Sequence, residues 1–204
     1  MTSTSLIHGF SLTASLIVAI GAQNAFVLKQ GLKKHHLLFT ASLCILFDCI
    51  LIALGVCGLG VFIEKYPAFT LWFRIFGASF LLFYGIKAFS SALNPQSYTL
   101  ELHFQPTTRL RTFALLVTFT FLNPHTYLDT IVLIGAAGAQ YEVNEQILFI
   151  LGAMCASTLW FFSLTFGAKK LSSHFQKPKT WQVLDFFVGV LMLFLAFSFV
   201  YPLL

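Results

Sequence analysis

Six long apolar stretches, each about the length of a bilayer-crossing helix, dominate this chain. Crossing the hydrocarbon core takes about 20 mostly apolar helical residues at 1.5 Å rise each. Residues 6–28, 38–62, 69–89, 112–139, 147–168 and 181–203 meet that length. With their short loops they use nearly all of the 204 residues, which leaves no room for a soluble domain. The runs are too continuous for a membrane barrel, whose strands alternate over about ten residues. Composition agrees, with 58% hydrophobic and only 9% charged residues. A soluble domain needs about 25% charged residues, and disorder needs the opposite balance. The expected fold is an all-α integral membrane protein of six transmembrane helices.

The first stretch is expected to be a span rather than a signal peptide, because its leader, residues 1–5, carries no positive charge and its apolar run is longer than the roughly 7–15 residues of such peptides. It is also the most polar of the six, with His8, Ser11, Thr13, Ser15, Gln23 and Asn24 inside it. If it failed to cross, five spans would remain. Loop charge sets the expected orientation. Lys29, Lys33, Lys34, Lys87, Arg109, Arg111, Lys169, Lys170, Lys177 and Lys179 fall on one side, against Lys65 and Arg74 with Glu64, Glu142 and Glu145 on the other. The basic side is expected in the cytoplasm. The net charge of +5 then reflects insertion and anionic lipid headgroups, with no nucleic-acid partner.

Cys44, Cys49, Cys57 and Cys155 lie inside apolar runs, without a Cys-x-x-Cys pair or a nearby His cluster. They read as small apolar residues. A membrane thiol carrier would need a reactive pair that the sequence does not offer. No metal or cofactor is expected.

Two carboxylates sit where lipid would exclude them: Asp48 and Asp129. Each costs about 2.5–3.5 kcal/mol at mid-membrane on insertion scales, which calls for a function or a strong partner. At helical spacing Asp48 shares a face with Ala41, Cys44, Ile52 and Gly55, while Leu43, Phe47, Ile50 and Leu54 form a bulky stripe suited to lipid. Asp48 is expected to point inward. Asp129 follows Pro124, which lacks an N–H and should break the fourth run. Exposed backbone at membrane depth needs protein or a water-filled cavity to satisfy it. Asn123, His125, Thr126, Tyr127 and Thr130 bring polar groups to that break. Gly21, Gln23 and Asn24 form a similar disturbance in the first run. Arg74 and Lys87 are expected to snorkel to the membrane edges, with an intramembrane carboxylate as a second partner for Arg74. Asp185 is expected at an interface.

Both disturbances fall in the first helix of a half if the chain divides into residues 1–104 and 105–204. Three spans per half make the two repeats inverted, and interrupted helices at matching places point to a transporter's central site. Gly152 and Ala156, four apart, could serve a homodimer or internal packing.

At these motifs the chain resembles the lysine/arginine exporter family of bacterial inner membranes, a branch of the small amino-acid exporters. The matching residues are Gly21-Ala-Gln-Asn-Ala-Phe-Val-Leu-Lys-Gln-Gly31, Asp48 and Asn123-Pro-His-Thr-Tyr-Leu-Asp-Thr130. Some members have proline where this chain has Ala22. Exporters of neutral amino acids differ at both motifs and usually lack the Leu-Asp-Thr continuation. The resemblance implies a transporter rather than an enzyme, exporting arginine or lysine. The chemistry is compatible, because Asp48 and Asp129 could pair with the substrate's positive groups. Its carboxylate could meet free N–H groups at a half-helix N-terminus, with Gln23, Asn24, Asn123, His125 and Tyr127 completing the site. Export of a cation against an inside-negative potential is uphill. No phosphate-binding loop is present for ATP, so exchange against protons is the expected coupling. The alternatives are an exporter of neutral amino acids or small metabolites, a membrane redox protein, or a scaffold.

Overall fold

The computed structural model describes residues 2–18, 21–59, 67–93, 108–173 and 178–201. Glu64, Lys65, Lys177 and the side chain of Arg74 lie outside the described residues, so the expectations placed on them have no structural counterpart.

Eight helices make up the described residues, and no strand occurs among them. They are α1 (Thr2–Ile17), α2 (Ala22–Lys33), α3 (Leu37–Leu54, continued by a π-helical turn, Gly55–Leu59), α4 (Pro67–Leu93) and α5 (Arg109–Phe121). Next, α6 runs from Pro124–Thr126 through π-helical Tyr127–Ile134 into Gly135–Ala139, followed by α7 (Val143–Leu171) and α8 (Pro178–Val200). Four segments are long and apolar enough to cross a membrane: Leu37–Gly58, Ile75–Leu93, Val143–Leu171 and Lys179–Val200. The count is five if α1 and α2 form one bent span.

Six spans are expected, two of them disturbed, and two of the six runs are indeed not single helices among the described residues. The first run is split into α1 and α2, bent by 80°. The expected run 112–139 is split at Leu122 and Asn123 into two short helices. The physical reason is the same in both. Gly21 and Pro124 are poor helix-interior residues, and the polar side chains beside them satisfy the backbone that each break exposes.

Small residues set how closely the helices approach. A Cβ at Gly9 would stand 2.1 Å from the Phe149 carbonyl oxygen, and one at Gly152 would stand 2.0 Å from that of Leu6. Backbone meets backbone where α1 crosses α7, so Gly152 serves internal packing, and Ala156 is buried as well. Gly55 and Gly135 make a second such crossing, with a Cβ at Gly135 only 2.6 Å from the Gly55 carbonyl carbon.

The main core joins α2, α3, α4, α5, α7 and α8 around Phe26, Phe119, Phe161 and Met192. On α3, Ala41, Cys44, Asp48, Ile52 and Gly55 are buried and Ile50 and Leu54 exposed, as the spacing predicts. Phe47 differs from the expected lipid-facing stripe. It is 7% exposed because Phe113 and Phe121 cover its ring at 6.3 and 5.2 Å.

Basic residues collect at one end. Leu32 of α2, Ala168 of α7 and Trp181 of α8 form one cluster, and α4 runs antiparallel to α8, with Gly85 beside Met192 and Gly189 beside Phe89. The C-terminal ends of α2, α4 and α7 therefore meet the N-terminal end of α8. Lys33 sits 5.5 Å over the Trp181 ring, and Lys169 and Lys170 lie in the last turn of α7, where they complement its dipole.

Candidate intramembrane site

Each broken run is tied across its gap by a side chain from the following helix. In the first, Asn24 donates from Nδ2 to the Ile17 carbonyl at 2.8 Å, while its Oδ1 accepts from Trp160 Nε1 at 3.2 Å. In the second, the Tyr127 hydroxyl donates to the Phe121 carbonyl at 2.6 Å. Both bonds satisfy orphan carbonyls at the end of the upstream helix, which have no partner of their own.

The two downstream N-termini differ. Asn123 caps α6, its Oδ1 accepting from the His125 N–H at 3.1 Å. Gly21 precedes α2 in an extended conformation, and no side chain caps that helix. A helix N-terminus left this way favours an anion.

A cavity of about 250 Å³ lies between the two breaks. Gly21, Gln23, Asn24, Asp48, Asn123, His125 and Asp129 all line it, together with Thr13, Thr130 and Phe161. Seven of the nine positions singled out in the sequence thus converge on one space. Tyr127 is not among the lining residues, and its hydroxyl is engaged by the break. Pro124 starts α6. The volume is below the usual 300–1,000 Å³ of small-molecule pockets, which suits one small metabolite.

Asp48 is 6% exposed and accepts from Ser157 Oγ at 2.7 Å. Ser157 is itself fully buried. Asp129 has no hydrogen bond or ion pair among the described residues and lies on the π-helical segment, a form that often marks functional sites. Gln23 and Thr13 line the same space, and their buried Nε2 and Oγ1 have no hydrogen-bond partner among the described residues. An unsatisfied buried donor costs about 1–3 kcal/mol, a cost that a ligand oxygen would remove.

Sequence reading missed Ser157 and Trp160. Both stand on α7 in an apolar run, and neither residue type signals a site; only their partners, Asp48 and Asn24, give them one. It also placed Lys29 in a loop. Instead Lys29 lies within α2 and forms an ion pair with Asp185, with side chains 13% and 9% exposed. The cysteines form no pair: Cys44 is buried, Cys57 and Cys155 are exposed. No metal-binding cluster of His, Cys, Asp or Glu occurs among the described residues.

These features define a multi-pass helical membrane protein whose broken helices enclose a polar cavity. The chain belongs to the LysE type translocator family, whose model matches residues 14–202. It is 38% identical over 192 residues to the arginine exporter protein ArgO of Yersinia enterocolitica, covering 94% of each chain. It is 39% identical over 190 residues to the putative amino-acid transporter YggA of Aeromonas salmonicida, covering 93% of this chain and 92% of that one. To ArgO of Salmonella enteritidis it is 35% identical over 191 residues, covering 94% and 90%. No solved structure matches it.

Proposed function

We propose that this protein is a secondary active exporter of basic L-amino acids, arginine or lysine, in a bacterial inner membrane. The observation that carries the reading is that Asp48 and Asp129 line one small cavity beside two broken helices. Relatives named as arginine exporters over nearly the whole chain support the same substrate class.

The charges divide between the two breaks. The substrate's carboxylate docks at the uncapped N-terminus of α2, where Gln23 Nε2 and Thr13 Oγ1 supply donors. Its positive groups face Asp48 and Asp129, and a guanidinium can engage one carboxylate bidentately. Asn24, Asn123 and His125 complete the polar lining, and Tyr127 holds the second break in shape. Ser157 fixes the Asp48 carboxylate without neutralising it.

Each carboxylate can carry a proton when no cation is bound, so proton and substrate compete for the same atoms. That competition couples outward movement of substrate to inward movement of protons. Alternating access follows if residues 1–104 and 105–204 act as two inverted three-helix repeats, each contributing one broken helix. In this reading α1–α2 and α5–α6 are each one broken span, which restores six. The basic end faces the cytoplasm.

Counterflow in proteoliposomes with labelled arginine, lysine and alanine tests the reading. Arginine or lysine should exchange and alanine should not. Exchange of alanine alone would overturn it in favour of a neutral amino-acid exporter.

A further inference from the structure

The Lys29–Asp185 ion pair lies apart from the cavity. Lys29 is five residues beyond the cavity-lining Asn24, about 7.5 Å further toward the basic end at 1.5 Å per residue. Asp185 is ten residues before the cavity-lining Leu195 on α8, about 15 Å in the same direction. The Lys29 ammonium also stands 5.9 Å over the Tyr84 ring. Between the pair and the cavity is a layer of rings. Phe26 meets Phe119 at 5.3 Å, and Phe119 meets Phe80 and Tyr84 at 5.0 Å each. Phe26 and Phe119 are buried. Aromatic rings thus lie between the cavity and a nearly buried charge pair at the basic end.

Loading from the basic end requires α2 and α8 to part there. Separating a buried ion pair takes each charge away from its close counter-charge, which costs more than the pair contributes when closed. A basic amino acid removes that obstacle, since it brings a cation for Asp185 and a carboxylate for Lys29. Its side-chain cation stands at the end of an extended chain, so it can bridge the two groups as they move apart. A neutral amino acid carries both charges on one carbon and cannot.

We infer that Lys29 and Asp185 form a second substrate site, a gate at the basic end at which the cation of a basic amino acid takes Asp185 while its carboxylate takes Lys29. The inference rests on the basic amino-acid reading above.

Cys44 provides a native reporter. It is fully buried in the ring-lined core, one helical turn from Asp48 toward the basic end. With Cys49→Ser, Cys57→Ser and Cys155→Ser it is the only thiol, as the chain has four cysteines. In vesicles with the basic end outward, a membrane-impermeant maleimide should label Cys44 slowly. Arginine should accelerate labelling about tenfold, and alanine should not. Asp185→Asn and Lys29→Met should each label fast without arginine. The exchanged pair, Lys29→Asp with Asp185→Lys, should return to slow labelling, a recovery that misfolding would not give. Slow labelling in both single variants, or arginine counterflow with no arginine effect on Cys44, overturns the gate and leaves the export reading standing. Absence of arginine counterflow in the parent protein overturns that reading, and the gate's ligand with it.

Discussion

The two breaks in the fold solve the same problem in opposite ways. Both interrupt a helix within an apolar run, and both return a side chain from the downstream helix to a carbonyl of the upstream one, Asn24 to Ile17 and Tyr127 to Phe121. At the second break Asn123 caps the new helix, and two residues after Tyr127 comes a carboxylate, Asp129. The first break leaves its new helix uncapped, with a buried amide, Gln23 Nε2, that has no partner among the described residues. One break therefore presents donors and partial positive charge, the other a negative charge. A zwitterion with a cationic side chain is complementary to that division, and a neutral scaffold would have no use for it.

The sharpest way to break this comparison is to remove its negative side. Asp48→Asn or Asp129→Asn should abolish arginine counterflow while the protein still inserts and purifies as a folded species. Neutralisation keeps the shape of each side chain, so loss of transport reports charge and not packing. Full activity in both variants would remove the two-carboxylate mechanism. Ser157→Ala should act more weakly, because one hydrogen bond to a charged group is worth about 1.5–3 kcal/mol.

Next in size are the crossings that hold the breaks apart. Gly152→Leu places a side chain against the Leu6 carbonyl, and Gly135→Leu places one against Gly55, both backbone atoms that cannot yield. Overpacking costs about 1–3 kcal/mol and occasionally more, so both variants should unfold at lower temperature in detergent. The Gly152 variant should suffer most, since its contact is the closer at 2.0 Å against 2.6 Å. Equal and unchanged melting would show that the helices do not pack this tightly.

A smaller effect separates the two ties. Asn24→Ala removes a donor to Ile17 and an acceptor for Trp160, whereas Tyr127→Phe removes only one bond. At about 0.5–1.5 kcal/mol for each net hydrogen bond, the Asn24 variant should lose more transport rate and more thermal stability. The reverse order would mean that the second break carries more of the strain.

Legibility in the sequence followed the same division. The apolar runs and Pro124 were enough for an all-helical membrane fold with a break near residue 123, because spacing and a missing N–H act locally. Asp48 could be placed inward from its small neighbours at three- and four-residue steps. Phe47 could not, because its burial depends on Phe113 and Phe121, more than sixty residues away in the chain. Ser157, Trp160 and the Lys29–Asp185 pair were hidden for the same reason. Their significance lies in a partner on another helix, which periodicity does not report. The 80° bend also exceeded what Gly21 alone implies, because a glycine weakens a helix without setting a direction.

The smallest expected effect concerns the turns that follow the breaks. Each downstream helix is joined to the next by three residues, Lys34-His35-His36 after α2 and Gln140-Tyr141-Glu142 after α6. The first turn is basic and twisted, with both Lys34 and His36 in the left-handed region at φ 57° and 47°. The His35 N–H donates to the Gln30 carbonyl, and that of Lys34 to Gly31, which ends α2 without a glycine. Partial burial, then the charges of Lys33 and His36, push the His35 imidazole below its ordinary value of 6.5. The native state thus binds fewer protons here than the unfolded chain just below that value. Stability contributed by the neutral imidazole is present above the unfolded value and is lost as pH falls through it. Melting temperature in detergent should therefore drop between pH 7.5 and 5.5, and His35→Gln should reduce the drop slightly. If His35→Gln melts with the same pH dependence as the parent, the acid sensitivity belongs elsewhere and the two turns are not distinguished by charge.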